Sequence, residues 1–113
     1  MSACLLVAEI GINHNGDLNI AKKLISEAKS SGFDAIKFQK RDINVVYTQE
    51  FLESPRKSPW GETQRQQKEA LEFSLSDYWE IDNFCKNIDM EWFVSCWDIN
   101  SQIEMRVFST KWN

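Results

Sequence analysis

Three short apolar runs, separated by amphipathic stretches, set the rhythm of the chain. Leu5, Leu6, Val7 and Ala8 form the first, and an unbroken apolar run of this kind predicts a strand buried on both faces. Glu9 ends it, and the residues from there to Gly16 read as a polar loop punctuated by Gly11 and Gly16. Asp17 offers an N-cap. Leu18, Ile20, Ala21, Leu24, Ile25 and Ala28 then recur at helical spacing, with lysines and Glu27 on the opposite face. Ser30, Ser31 and Gly32 supply the stop.

Ala35 to Gln39 predicts a second strand, with Ile36 and Phe38 on one face and Lys37 and Gln39 on the other. Lys40 to about Glu62 has mixed character, broken by Pro55, Pro59 and Gly61. Gln64 to Phe73 is helix-prone, and Ser76 reads as the cap of a further helix carrying Tyr78, Trp79, Ile81, Phe84, Cys85 and Ile88. Glu91 to Cys96 predicts a third strand, and Asp98 or Asn100 the cap of a last helix through Ile103, Met105, Val107 and Phe108. A βα series at these spacings predicts an α/β fold with a parallel sheet. Right-handed crossovers leave two outcomes, a closed barrel or an open doubly wound sheet.

Composition narrows the function classes. A length of 113 residues fits one small domain, and 42% hydrophobic with 27% charged residues fits a soluble globular chain. The net charge of −4 comes without a basic stripe, which argues against nucleic-acid binding. An anionic small molecule remains compatible, because a few placed cations and backbone amides suffice to hold it. No apolar run approaches the ~20 residues of a membrane span, and the start lacks the basic region of a signal peptide.

Cys4, Cys85 and Cys96 share no metal or redox spacing, so the expectation is three structural thiols and a reducing cytoplasm. With His14 the only histidine, no His-rich metal site can be built from this chain. Among the tryptophans, Trp79 and Trp92 are expected in packing. Trp60, within Ser58-Pro59-Trp60-Gly61, is the candidate for a loop over a site.

Ligands of α/β folds sit at the C-terminal ends of the strands. Three polar sets are predicted there: Glu9 with Asn13 and His14, Lys37 with Gln39, and Ser95 with Asp98. An ammonium between Ile36 and Phe38 is costly unless it is paired or faces a polar pocket. Lys37 therefore reads either as a ligand for phosphate or carboxylate, or as a structural lysine paired to a carboxylate such as Glu9. Glu9 can accept hydrogen bonds from sugar hydroxyls or simply mark the strand end. Gln39 donates and accepts at once, which suits amide or hydroxyl recognition, although a solvent-facing glutamine reads similarly. His14 invites an acid/base role, but a lone histidine before a helix is more often a hydrogen-bonded loop residue. Gly11 and Gly16 lack the dinucleotide-fingerprint spacing, which disfavours a nicotinamide cofactor.

Ala8-Glu9-Ile10-Gly11-Ile12-Asn13-His14-Asn15-Gly16 resembles the opening motif of the sialic acid (N-acetylneuraminate) synthase family. Asp34-Ala35-Ile36-Lys37-Phe38-Gln39 resembles that family's second-strand motif, and Phe93-Val94-Ser95-Cys96-Trp97-Asp98 its third. The stretch from Lys40 through Ser58-Pro59-Trp60-Gly61 to Glu72-Phe73 is similar to the intervening loop and helix of one branch. The resemblance implies a TIM (β/α)8 barrel, of which residues 1–113 would be the N-terminal portion. That is roughly three of eight βα units in a fold of about 250 residues, with the C-terminal antifreeze-like domain absent.

By family, the expected reaction condenses phosphoenolpyruvate with an N-acyl-mannosamine to give a sialic acid and phosphate, with 113 residues alone inactive. A sister legionaminic or pseudaminic acid synthase, or a non-catalytic binding or assembly module, are the alternatives. The resemblance gives Glu9 a sugar-binding role, Lys37 a phosphoenolpyruvate contact and Gln39 a place near the sugar; Asn13 and Ser95 complete the expected substrate-binding set. Cys96 stands where some members have a threonine that contacts phosphoenolpyruvate, and Ser95 is the neighbour able to help. A divalent manganese or magnesium ion is implied, with its ligands outside this chain, as is a homodimer in full-length relatives.

Overall fold

The computed structural model describes residues 4–108 and residue 110. The chain runs β1 (Val7–Gly11), α1 (Leu18–Ser30), β2 (Ala35–Lys40), α2 (Ile43–Val46), α3 (Gln49–Glu53), β3 (Pro55–Ser58), β4 (Gly61–Thr63), α4 (Gln64–Ala70), α5 (Leu75–Asn87), β5 (Glu91–Cys96) and α6 (Ile99–Met105). β1, β2 and β5 pair in parallel in that order, and β3 and β4 make an antiparallel hairpin. The expected α/β chain with a parallel sheet is thus observed.

Helix α1 starts where its cap dictates: the Asp17 carboxylate accepts from the Asn19 and Ile20 N–H groups at 2.8 and 3.3 Å. It ends in a Schellman pair, with Phe33 N–H donating to the Ala28 carbonyl (3.1 Å) and Gly32 N–H to that of Lys29 (3.2 Å). Gly32 takes the left-handed conformation this needs, at φ 89°. Ala21, Ile25 and Ala28 are the buried stripe, while Ile20 turns outward.

One face of the sheet builds the core. Ile36 and Phe38 of β2 are fully buried, with Ile10, Trp92 and Val94 from the flanking strands and Ala21, Ile25, Tyr78, Ile81 and Cys85 from α1 and α5. Tyr78 stacks on Trp92 with centroids 5.8 Å apart. Its hydroxyl donates to the Gln39 carbonyl at 3.3 Å, tying α5 to β2. The Trp92 indole N–H donates to the Asp82 carboxylate at 2.9 Å.

Several expectations are corrected. Leu5 to Ala8 is not a strand buried on both faces: Leu5 and Leu6 are exposed, and β1 starts at Val7 and runs through Glu9 to Gly11. β1 is an edge strand, so nothing among the described residues pairs with its outer side. The cap of α5 is Ser74, not Ser76, because Ser74 and Asp77 close a reciprocal capping box at 3.0 and 3.1 Å. The segment of mixed character after Lys40 resolves into α2, α3 and the β3–β4 hairpin, whose turn carries Trp60.

The last helix stops at Met105, leaving Val107 and Phe108 beyond it, and α4 ends at Ala70 rather than near Phe73. Trp79 is half exposed, touching Phe108 at a ring distance of 4.3 Å. Cys4 is exposed, so it is not a packed thiol, whereas Cys85 is buried and Cys96 half-buried; all three are free.

Candidate functional site

The face of the sheet opposite the core carries the polar residues. Strand register places Glu9 beside Lys37, Lys37 beside Phe93, and Gln39 beside Ser95. Partners in register point to the same side, so Glu9, Lys37, Gln39 and Ser95 share one face toward the C-terminal ends of the strands. Lys37 Nζ lies 3.0 Å from Glu9 Oε2, with the side chains 32% and 44% exposed respectively.

Gly11 explains how the carboxylate and the amide come together. Its φ of 54° turns the chain at the end of β1. The point where a Cβ would sit is 3.1 Å from Glu9 Oε1 and 3.3 Å from Gln39 Nε2. The missing side chain lets both groups come this close to the Gly11 backbone. From the sequence Gly11 read only as loop punctuation, part of the opening motif and a negative for dinucleotides. Its place in the site depends on the irregular register between Glu9 and Gly11, which local sequence does not announce.

Asn13 lies in the turn after β1, its N–H donating to the Ile10 carbonyl at 2.8 Å and its side chain exposed. His14 goes the other way. It is 2% exposed, stacked on Phe73 at 4.0 Å, and its Nδ1 accepts from the Gly16 N–H at 2.9 Å. Burial pushes its pKa down to about 4, against the opposing pull of a hydrogen bond to the Gly11 backbone. It is the hydrogen-bonded loop histidine of the more ordinary reading, and its burial on Phe73 is an addition that neither reading contained.

Cys96 pairs in register with Lys40 and packs toward the core, on the side away from Lys37. Burial, followed by the Asp98 carboxylate, raises its thiol pKa against the pull of Lys40. Asp98 is engaged within the fold. It accepts from the Asp42 N–H (2.8 Å), the Ser101 N–H (2.9 Å) and the Ser101 hydroxyl (2.8 Å), capping α6. Burial works against its charge, but those hydrogen bonds and Lys40 hold its pKa below the usual range.

Arg41, the residue after β2, organises the rim and was not anticipated. Its guanidinium pairs with Glu72, donates to the Tyr47 hydroxyl at 2.9 Å and lies 5.1 Å from the Trp97 ring. The Trp97 N–H donates to the Lys40 carbonyl at 3.0 Å. The start and end of the excursion between β2 and α5 are thereby fastened to the C-terminal end of β5. A separate cleft of about 250 Å³ lies at the opposite end of β5, bordered by Asp82, Lys86 and Glu91. Its buried carboxylate, Asp82, is already engaged by Trp92 and by Lys86 at 2.8 Å.

No group of three or more His, Cys, Asp or Glu side chains among the described residues is placed to hold a metal ion. With His14 stacked in the core and Glu9 held by Lys37, the residues present do not fit the implied divalent ion.

Residues 24–111 match the NeuB family. The chain belongs to that family. Among the curated relatives, it is 40% identical over 87 residues to the N-acetylneuraminate-9-phosphate synthase of Mus musculus, covering 75% of this chain and 24% of the relative. It is 39% identical over 101 residues to the N,N'-diacetyllegionaminic acid synthase of Legionella pneumophila, covering 87% and 28%. The chain therefore spans about a quarter of the length of the curated relatives it matches. The crystal structure of an N-acetylneuraminic acid synthetase from Leptospira borgpetersenii, in complex with citrate, superposes with a TM-score of 0.77 over 96% of this chain and 34% of that one. Its sequence identity is 20%, so this likeness bears on the fold of the NeuB chain. No helix among the described residues is long and apolar enough to cross a membrane.

Proposed function

We propose that this NeuB-family chain contributes the opening βα units of a (β/α)8 barrel, and that its polar face binds the two substrates of a sialic acid synthase. The expected reaction joins the enol carbon of phosphoenolpyruvate to the aldehyde carbon of an N-acyl-mannosamine. Water then adds to the cationic centre left on the former enol, and phosphate departs. The observation that carries the reading is the Lys37–Glu9 pair at 3.0 Å, flanked by Gln39 across the vacant Gly11 position.

Each group has a chemical task in this reading. Lys37 supplies the positive charge for the phosphate or carboxylate of phosphoenolpyruvate, and the Ser95 hydroxyl can donate to the same anion. The Glu9 carboxylate accepts from sugar hydroxyls. Gln39 offers a carbonyl and an amide to the N-acyl group or a hydroxyl, and Asn13 borders the face from the turn. The manganese or magnesium ion that the family implies would take its ligands from outside the described residues, and none of these tasks runs through it.

On three strands the face is open on one side, so no turnover is expected from 113 residues alone. A homodimer is proposed only for a full-length protein. The legionaminic acid reading is supported by the 39% identity to the Legionella pneumophila synthase, and competition between N-acyl sugars would separate the two. The direct test is an NMR titration of the chain with phosphoenolpyruvate and with N-acetylmannosamine. Shifts centred on Lys37, Gln39 and Ser95 are expected, and shifts confined to the cleft around Asp82 would overturn the assignment.

A further inference from the structure

Lys37 and Glu9 are assigned to different ligands, yet each is the other's counter-ion at 3.0 Å. The pairing is built into the sheet, because the two residues are register partners on adjacent strands. An anion arriving at Lys37 brings a second negative charge to an ammonium that already has one. Like charges so close repel, and Glu9 is the more exposed member, at 44% against 32% for Lys37. Space lies on its other side, where Glu9 Oε1 and Gln39 Nε2 border the empty Cβ position of Gly11.

We propose that the Glu9–Lys37 ion pair couples two ligand subsites: an anion on Lys37 releases the Glu9 carboxylate toward Gln39, where it accepts hydroxyl hydrogen bonds from a polyhydroxylated ligand. The inference rests on the proposed assignment of both ligands to this face. Its size follows from the pair it breaks. Half-exposed ion pairs are weak, so coupling of about 1.5- to 5-fold in affinity is expected. Linkage makes it reciprocal, and each ligand tightens the other by the same factor.

The experiment is calorimetric titration of the 113-residue chain with phosphoenolpyruvate and N-acetylmannosamine, each alone and in the presence of the other. In the wild type, each ligand should tighten the other about 1.5- to 5-fold. Glu9→Gln should tighten phosphoenolpyruvate binding by a similar factor, because no carboxylate competes for Lys37. Lys37→Met should tighten N-acetylmannosamine binding in the absence of any anion, because Glu9 is free from the start. The wild-type measurement needs no variant, so a variant that fails to fold leaves the test standing.

Binding of both ligands with no mutual effect would overturn the coupling and leave the proposed function in place. Weaker phosphoenolpyruvate binding by a folded Glu9→Gln chain would do the same, since Glu9 would then be helping to hold the anion. Failure of the wild type to bind either ligand would overturn both the coupling and the functional reading beneath it.

Discussion

Arg41 and Glu72, 31 residues apart, close the excursion that leaves β2 through three contacts on one carboxylate. The Arg41 backbone N–H donates to Glu72 Oε1 at 2.8 Å, its Nε to Oε2 at 3.0 Å, and its Nη2 lies 2.9 Å from Oε2. The side chains are 5% and 14% exposed. Removing one partner therefore strands a buried charge, which costs about 3–5 kcal/mol. Glu72→Gln and Arg41→Met should each lower the urea midpoint by that equivalent. The double variant Arg41→Met, Glu72→Leu should recover much of the loss, because a buried ion pair replaced by apolar groups is often close to neutral. Single-variant losses under about 1 kcal/mol, the range of exposed pairs, would show that the pair is solvated.

Two glycines separate backbone strain from steric conflict. Gly16 (φ 72°) and Gly32 (φ 89°) both sit in the left-handed region. A Cβ on Gly32 meets nothing within 4 Å, whereas one on Gly16 would overlap the Ala70 carbonyl oxygen at the end of α4. Gly32→Ala should cost about 1–2 kcal/mol, the strain alone. Gly16→Ala should cost clearly more, because backbone must move, and the helical signal of α4 should weaken with it. Equal losses in thermal melts would mean that the Gly16 turn does not rest on α4.

The legible parts of the molecule are those specified by neighbours in sequence. Helix α1 could be read from Asp17, its apolar stripe and Gly32, and the bounds of β5 from the short, mostly apolar run Glu91 to Cys96. Alternation along Ala35 to Gln39 put Lys37 and Gln39 opposite Ile36 and Phe38, so the polar face could be read from the sequence. What escaped depends on distant partners. Helices α2 and α3 span four and five residues, too short to announce themselves by periodicity. Their placement draws on Arg65, which bonds Asn44 and Gln49 at 2.7 and 3.1 Å from α4. The Arg41–Glu72 closure and the burial of His14 on Phe73 are contacts of the same non-local kind. The start of β1 was misplaced because an apolar run does not reveal that its strand lies at a sheet edge.

His14 gives the fold a pH dependence whose sign follows from its burial. Its pKa is lowered to about 4 in the folded chain, against about 6.5 in the unfolded one. Between those values the unfolded state binds more protons, so stability rises with pH through that window. The contribution is fully present above about pH 6.5 and is lost as pH falls toward 4, amounting to about 3 kcal/mol over the window. Carboxylates titrate in the same range, so the informative quantity is a difference between variants. His14→Asn keeps an acceptor for the Gly16 N–H, and its urea midpoint should fall less than that of the wild type between pH 6.5 and 4.5. Parallel pH profiles would mean that the imidazole is solvated.

Gly11 tests whether the polar face holds two distinguishable subsites. At φ 54° an alanine costs about 1–2 kcal/mol of strain, which thermal melts would register for the fold as a whole. Its Cβ would also press on Glu9 Oε1 at 3.1 Å and Gln39 Nε2 at 3.3 Å, and Lys37 is not among the three atoms nearest to that point. Displacing the carboxylate from an incoming hydroxyl removes a hydrogen bond to a charged group, worth about 1.5–3 kcal/mol. Gly11→Ala should accordingly weaken N-acetylmannosamine about tenfold or more. Phosphoenolpyruvate should change less than about fivefold, the scale of the exposed ion pair beside its ammonium. Separate titrations of the folded variant with each ligand would read the two effects. Equal losses for both would place Glu9, Gln39 and Lys37 around a single ligand, and an unchanged sugar affinity would remove Glu9 and Gln39 from sugar recognition.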